Sequence, residues 1–101
     1  MEFTYRIEIK DDTMDVYLKG FLDTQHASGL MDDMKIHVAE KYKTVIFHMD
    51  ELEYMASLGV RIIIFTKQKM GRDTEVILEN PQENVASTIE LSGLQDMLSQ
   101  L

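Results

Sequence analysis

The side chains of this chain that could do chemistry are three histidines, five serines and a large set of carboxylates. His26, His37 and His48 are separated by eleven residues each time, so no two share the i, i+4 spacing of a helical metal site, and no HExxH pattern occurs. The acidic residues fall in pairs, Asp11-Asp12, Asp32-Asp33 and Glu51 with Glu53, at positions read as exposed turn or helix. Without a pocket or a neighbouring base they do not make a general acid/base site. Ser28, Ser57, Ser87, Ser92 and Ser99 lack the flanking glycines of a nucleophile elbow. The five glycines are scattered singly and form no phosphate loop, and there is no cysteine for a thiolate site or a disulfide. The residues make no positive case for an enzyme, and no cofactor or metal is implied.

Composition points the same way. At 101 residues the chain is read as one domain, 1–101, with one modest core and little space for a deep substrate cavity. Eighteen acidic against ten basic residues give a net charge of −8. That surface opposes non-specific attachment to nucleic acid or to an anionic membrane, since both require clustered Lys and Arg. The longest apolar run, Ile62–Phe65, is far short of the roughly 18 residues needed to cross a bilayer. The first residues lack the basic-then-apolar layout of a secretory signal, so the expected location is cytoplasmic, with no direct membrane insertion.

Elements follow from periodicity. Residues 3–9 alternate, Phe3, Tyr5, Ile7 and Ile9 on one face and Thr4, Arg6 and Glu8 on the other, as in a half-buried strand. Asp11-Asp12-Thr13 turns the chain, and Met14, Val16 and Leu18 resume the alternation until Gly20, which is expected to break the strand. Asp23-Thr24 offers capping side chains to a helix striped by Ala27, Leu30, Met31, Met34 and Val38. The run 44–49 reads as a strand covered on both faces, followed by an acidic loop. The stretch 58–70 is rich in β-branched residues, yet it reads as a helix. Ser57 can cap its start, Lys67, Lys69 and Arg72 suit its negative end, and Gly71 can stop it. A strand at 74–78, a helix at 82–90 with Val85, Ala86 and Ile89 inward, and a short helical segment ending at Leu101 complete the chain. The fold class is α/β, a mixed four-stranded sheet with helices mainly on one face, in the order β-β-α-β-α-β-α-α. Met31, Met34, Met49, Met70 and Met97 are assigned to the core, and Met55 to the loop before the second helix, where packing within the loop is preferred to an adaptable surface contact.

Three segments carry a family pattern. Met49-Asp50-Glu51-Leu52-Glu53-Tyr54-Met55-Ala56-Ser57-Leu58-Gly59-Val60 runs from a strand into a helix at Ser57, Lys19-Gly20-Phe21-Leu22-Asp23 follows the second strand, and Ile89-Glu90-Leu91-Ser92-Gly93-Leu94 lies near the C-terminus. In this order they resemble the STAS domain, the family of bacterial anti-sigma factor antagonists, over nearly the whole chain. The resemblance implies a regulatory binding module, an anti-sigma factor antagonist that binds a kinase-type anti-sigma factor and is switched off by phosphorylation of a serine. Ser57 matches the serine presented to a partner kinase, and Asp23 matches an acidic residue close to it. Thr24, Tyr54, Met55, Ala56, Leu58 and Gly59 are the implied partner-binding neighbours. Implied partners are an anti-sigma factor that is also a serine kinase and a PP2C-type phosphatase that reverses it. The resemblance further implies a monomer that forms heteromers.

The sequence departs from that pattern at three positions: Ala56 replaces an aspartate, Leu58 a Ser or Thr, and Phe21 a glutamate. Two other readings stand beside the switch. Ser57 can be an ordinary helix cap, and the chain can be a non-switching STAS subunit of a membrane transporter or larger signalling assembly. The apolar Ala56-Ser57-Leu58 stretch favours the last.

Overall fold

In the computed structural model, which describes residues 1–100, a two-residue turn at Asp11-Asp12 folds the first twenty-two residues into a hairpin. Strand β1 (Phe3–Lys10) pairs antiparallel with β2 (Thr13–Leu22), in unbroken register from Lys10↔Thr13 to Phe3↔Gly20. Helix α1 (Thr24–His37) then crosses back, so that β3 (Thr44–Met55) lies parallel to β2. Helix α2 (Ser57–Met70) makes a second crossover, and β4 (Glu75–Glu79) lies parallel to β3. The sheet order is β1-β2-β3-β4, followed by α3 (Glu83–Ser92) and α4 (Leu94–Gln100). Fold class and element order are those expected; the segment expected to end at Leu101 has its last residue outside the described ones.

Alternation decides which face of the sheet is covered. Met14, Val16, Leu18, Val45, Phe47 and Met49 are all buried and meet Ala27, Leu30, Met34, Val60, Ile62 and Ile63 from α1 and α2. A fully buried side chain of this size contributes about 1.5–3 kcal/mol, so this layer dominates stability. Between those residues, Asp15, Tyr17, Ile46 and His48 point to the other face and are only half-buried. Strand β3 is therefore covered on one face, not both. An apolar run of six residues does not distinguish these cases when the outward positions are Ile and His.

Two other expectations change. Gly20 does not break β2. It sits at φ +94° at a register irregularity, and the strand continues to Leu22. A Cβ there would lie 2.2 Å from the Glu2 carbonyl oxygen, the oxygen that accepts from the Phe21 amide at 2.9 Å. Only glycine combines that dihedral with that approach. The acidic stretch after Met49 is likewise strand rather than loop, because β3 runs six residues further and pairs Lys19↔Glu51, Gly20↔Leu52, Phe21↔Tyr54 and Leu22↔Met55. Glu51 and Glu53 face solvent from that strand while Leu52 is buried.

Of the methionines assigned to the core, Met34, Met49 and Met70 are buried, and Met31 and Met97 are half-buried at its rim. Met55, expected to pack within a loop, is buried at the end of β3 instead. The end of α2 is sealed by amines: Lys67 is buried and donates to the Gly71 and Thr74 carbonyls, while Lys41 donates to those of Lys69 and Met70. The bonds to Lys69, Met70 and Gly71 satisfy carbonyls that a helix C-terminus leaves unpaired, and the one to Thr74 ties the turn that follows to the helix.

Candidate functional site

The residues singled out by the sequence meet where β2 and β3 end. Leu22 pairs with Met55, and the Ala56 amide donates to the Leu22 carbonyl at 2.9 Å. One residue further on each strand a helix begins, α1 after Asp23 and α2 after Ala56, and the two helices pack against each other. Two helix N-termini thus lie side by side, each presenting amides that have no intrahelical acceptor. Their dipoles favour negative charge at this edge.

The two N-termini are finished differently. At α1, the Asp23 carboxylate accepts from the His26 backbone amide and lies 2.8 Å from His26 Nδ1. The His26 amide, with the imidazole, holds the Asp23 carboxyl below the usual aspartate range. At α2 the cap position is Ala56, and no side chain caps the helix. Ser57 is the first helical residue, not the cap, and it is exposed. The cap reading of Ser57 is overturned: one residue into the helix, a serine no longer has the extended backbone that turns its oxygen onto the amides beyond.

Around Ser57 the neighbours divide by depth. Thr24 and Tyr54 are exposed, Asp23 and Leu58 are half-exposed, and Met55, Ala56 and Gly59 are buried. A Cβ on Gly59 would approach Met55 Cγ to 2.6 Å and Leu22 Cδ2 to 3.0 Å. The glycine therefore lets α2 lie close against the ends of β2 and β3, and the space beside it is filled by the protein itself. Met55 and Gly59 shape the site from beneath.

Sequence reasoning missed one component. Phe21 and Tyr54, opposite each other on β2 and β3, stack with ring centroids 6.0 Å apart and an interplanar angle of 25°. Alternation along the sequence could not have found it: after Met49 the buried residues of β3 fall at every third position, Leu52 and Met55, and register irregularities against β2 bring Tyr54 opposite Phe21. Beside this pair, Glu53 and Lys19 line a shallow hollow of about 400 Å³. The exposed features at this end are the Ser57 hydroxyl, an aromatic pair and carboxylates at Asp23 and Glu53.

Elsewhere each histidine meets an aspartate: His37 with Asp33 on α1, and His48 Nε2 with Asp15 Oδ1 at 2.7 Å across β2 and β3. His48 also stacks on Tyr17, centroids 4.2 Å apart, and Arg6 covers the other side of that ring. No serine or cysteine lines the cavity of about 640 Å³ beside this stack. Among the described residues no group of three or more His, Cys, Asp or Glu could hold a metal, and no helix is long and apolar enough to cross a membrane.

Comparison with known proteins agrees with this fold. Among solved structures, the unphosphorylated anti-sigma factor antagonist SpoIIAA superimposes with a TM-score of 0.83 at 22% identity, over 93% of this chain and 84% of that one. An anti-sigma factor antagonist from Mycobacterium paratuberculosis gives a TM-score of 0.78 at 23% identity, covering 98% and 93%. The phosphorylated form of the Bacillus cell fate determinant SpoIIAA gives 0.74 at 21%, covering 93% and 87%. No curated protein matches the chain. These likenesses establish the fold, and the STAS domain family model matches residues 4–101, so the chain belongs to the STAS domain family.

Proposed function

We propose that this protein is a regulatory binding module, an anti-sigma factor antagonist that docks a kinase-type anti-sigma factor through the end of the sheet at Ser57 and is released by phosphorylation of that serine. The observation that carries the reading is Ser57 itself: an exposed hydroxyl on the first residue of a fourteen-residue helix, spared from capping. A hydroxyl there is accessible to a kinase and can be modified without unmaking the helix.

The electrostatics suit a switch. A phosphate adds about −1.5 to −2 charges and three strong acceptor oxygens. The unpaired amides and positive end of α2 stabilise it in place, so the fold tolerates it. A partner surface fitted to a neutral hydroxyl meets a bulky dianion instead. Asp23 adds a carboxylate at the neighbouring helix end, which sharpens the repulsion towards an acidic partner group. The absence of a cap aspartate at position 56 removes a charge that would otherwise compete with phosphate for the α2 amides.

Docking before phosphorylation falls to the Phe21–Tyr54 pair, Thr24 and the half-exposed Leu58, an apolar centre with polar edges. Aromatic anchors in such a setting carry most of the binding energy of an interface. The second reading, a non-switching subunit of a transporter or signalling assembly, drew on an apolar stretch at positions 56–58. Ala56 is buried and Leu58 half-covered, so that stretch offers a partner little apolar surface. The setting we infer is cytoplasmic, where a kinase, ATP and a PP2C-type phosphatase are at hand, and the protein acts by binding rather than by catalysis.

The test is incubation with serine-kinase anti-sigma factors of the source organism and ATP. A mass increase of one phosphate, mapped to Ser57 and absent in Ser57→Ala, is the expected result. No modification and no binding by any of those kinases would sink the reading.

A further inference from the structure

Strand β1 is a free edge of the sheet, and its own residues are complementary to a second copy of themselves. We propose that two copies of this chain associate by pairing their β1 strands antiparallel about a two-fold axis through Ile7, giving one continuous eight-stranded sheet. The partner is thus the same chain, and the surface is the outer edge of Phe3–Lys10.

The backbone supplies the first argument. A two-residue turn makes Lys10 and Thr13 a hydrogen-bonded pair, and such pairs alternate along an antiparallel ladder. The same parity appears at the far end, where the Glu2 carbonyl accepts from the Phe21 amide. Even-numbered residues of β1 therefore spend their amides and carbonyls on β2, while those of Tyr5, Ile7 and Ile9 point outward from the edge. Natural sheets blunt such an edge with proline, a bulge, a short strand or charged side chains; the charges on β1, Arg6, Glu8 and Lys10, are of both signs and can pair as well as repel. This one is eight residues long, unbulged and free of proline.

Register supplies the second. The outward groups require odd residues to face odd residues, so the axis passes through a residue of β1. With Ile7 on the axis, Ile7 faces Ile7, Tyr5 faces Ile9, Arg6 faces Glu8, and Thr4 faces Lys10. On the helix-covered side the contact covers the apolar surface that one copy leaves open, Tyr5 at 37% exposure and Ile9 at 49%. On the other side it forms two reciprocal ion pairs from Arg6 and Glu8, whose side chains are exposed. Moving the axis to Arg6 sets Arg6 against Arg6. Moving it to Glu8 sets Glu8 against Glu8 and Arg6 against Lys10. Opposite charges directly across a ladder stabilise it and like charges destabilise it; of the three central alignments, only the one on Ile7 has no like-charge pair.

This pairing leaves the Ser57 end of both copies free, since that end lies at the C-terminal ends of β2 and β3 and not on the β1 edge. It stands whether or not Ser57 is a switch, and it departs from the monomer that the family resemblance implied. A strand edge covers less than the roughly 1,200 Å² of a stable interface, so the association is expected to be reversible and concentration-dependent.

Charge exchange across the axis tests it. Arg6→Glu makes positions 6 and 8 both acidic, and Glu8→Arg makes both basic. Sedimentation equilibrium should show a concentration-dependent dimer for the unaltered chain. Each variant alone should dimerise more weakly by roughly tenfold or more, and an equimolar mixture of the two should recover a heterodimer. Recovery in the mixture cannot come from the Arg6–Glu8 contact within one strand, because neither variant contains it. Hydrogen exchange should slow at the Tyr5, Ile7 and Ile9 amides as concentration rises. A chain that stays monomeric to its solubility limit, a dimer unaffected by Glu8→Arg, or a mixture that remains monomeric would each overturn the proposal.

Discussion

The Ala56 amide donates to the Leu22 carbonyl at 2.9 Å, and this bond fixes where two helices begin. It is the last backbone tie between β2 and β3. Beyond it one chain turns into α1 through Asp23 and the other into α2 through Ser57. The candidate site exists because these two turns are neighbours in a parallel pair, although thirty-four residues separate them in sequence.

Ser57→Ala should leave stability within about 0.5 kcal/mol of the unaltered chain, as for a surface substitution that breaks no cap. Were Ser57 the cap of α2, the loss would be about 0.5–2 kcal/mol. Urea unfolding distinguishes the two. The same variant should abolish phosphate incorporation.

Asp23→Ala should destabilise the protein at neutral pH, and Asp23→Asn should do so less, because asparagine retains the cap bond to the His26 amide but not the carboxylate charge. The carboxyl of Asp23 is held below its ordinary value, about 3.9. Its stabilisation is therefore fully present above that value and is lost as pH falls through the lowered one. Melting temperatures from neutral pH down to acid should fall less steeply for Asp23→Asn.

Gly59→Ala sets a helix-propensity gain of about 1 kcal/mol against a Cβ 2.6 Å from Met55 Cγ. Overpacking of that kind costs about 1–3 kcal/mol. The net result expected is a loss near 1 kcal/mol, reduced when Met55→Ala opens the space, and a double-mutant cycle reads the coupling. Gly20→Ala should cost more, since its obstacle is the Glu2 backbone and its φ is +94°.

Lys67→Met should cost about 1–3 kcal/mol by leaving the Gly71 and Thr74 carbonyls without their donor in a buried corner. Thermal unfolding measures it. A change on the opposite, exposed side of α2, such as Arg61→Met, should be near neutral.

Much of this was legible beforehand. Period-two alternation located β1 and β2, the Ala27–Val38 stripe located α1, and Ser57 with Gly71 bounded a helix that its β-branched residues argued against. What was not legible depends on partners distant in the chain. Gly20 looks like a break until Glu2 is seen lying across it. Glu51–Tyr54 looks like an acidic loop until Lys19–Phe21 are seen to pair with it. Ser57 passes for a cap because a one-residue difference in where a helix starts lies below what residue preference resolves. Phe21, read only as the loss of a family glutamate, became half of an aromatic pair once the register placed Tyr54 opposite.

The most direct measurement is the affinity of one kinase-type anti-sigma factor for this protein in two forms, unmodified and phosphorylated at Ser57, by titration calorimetry under identical conditions. The expected result is binding by the unmodified form and a loss on the order of a hundredfold, about 2.7 kcal/mol, on phosphorylation. Equal affinity of the two forms would contradict the switch.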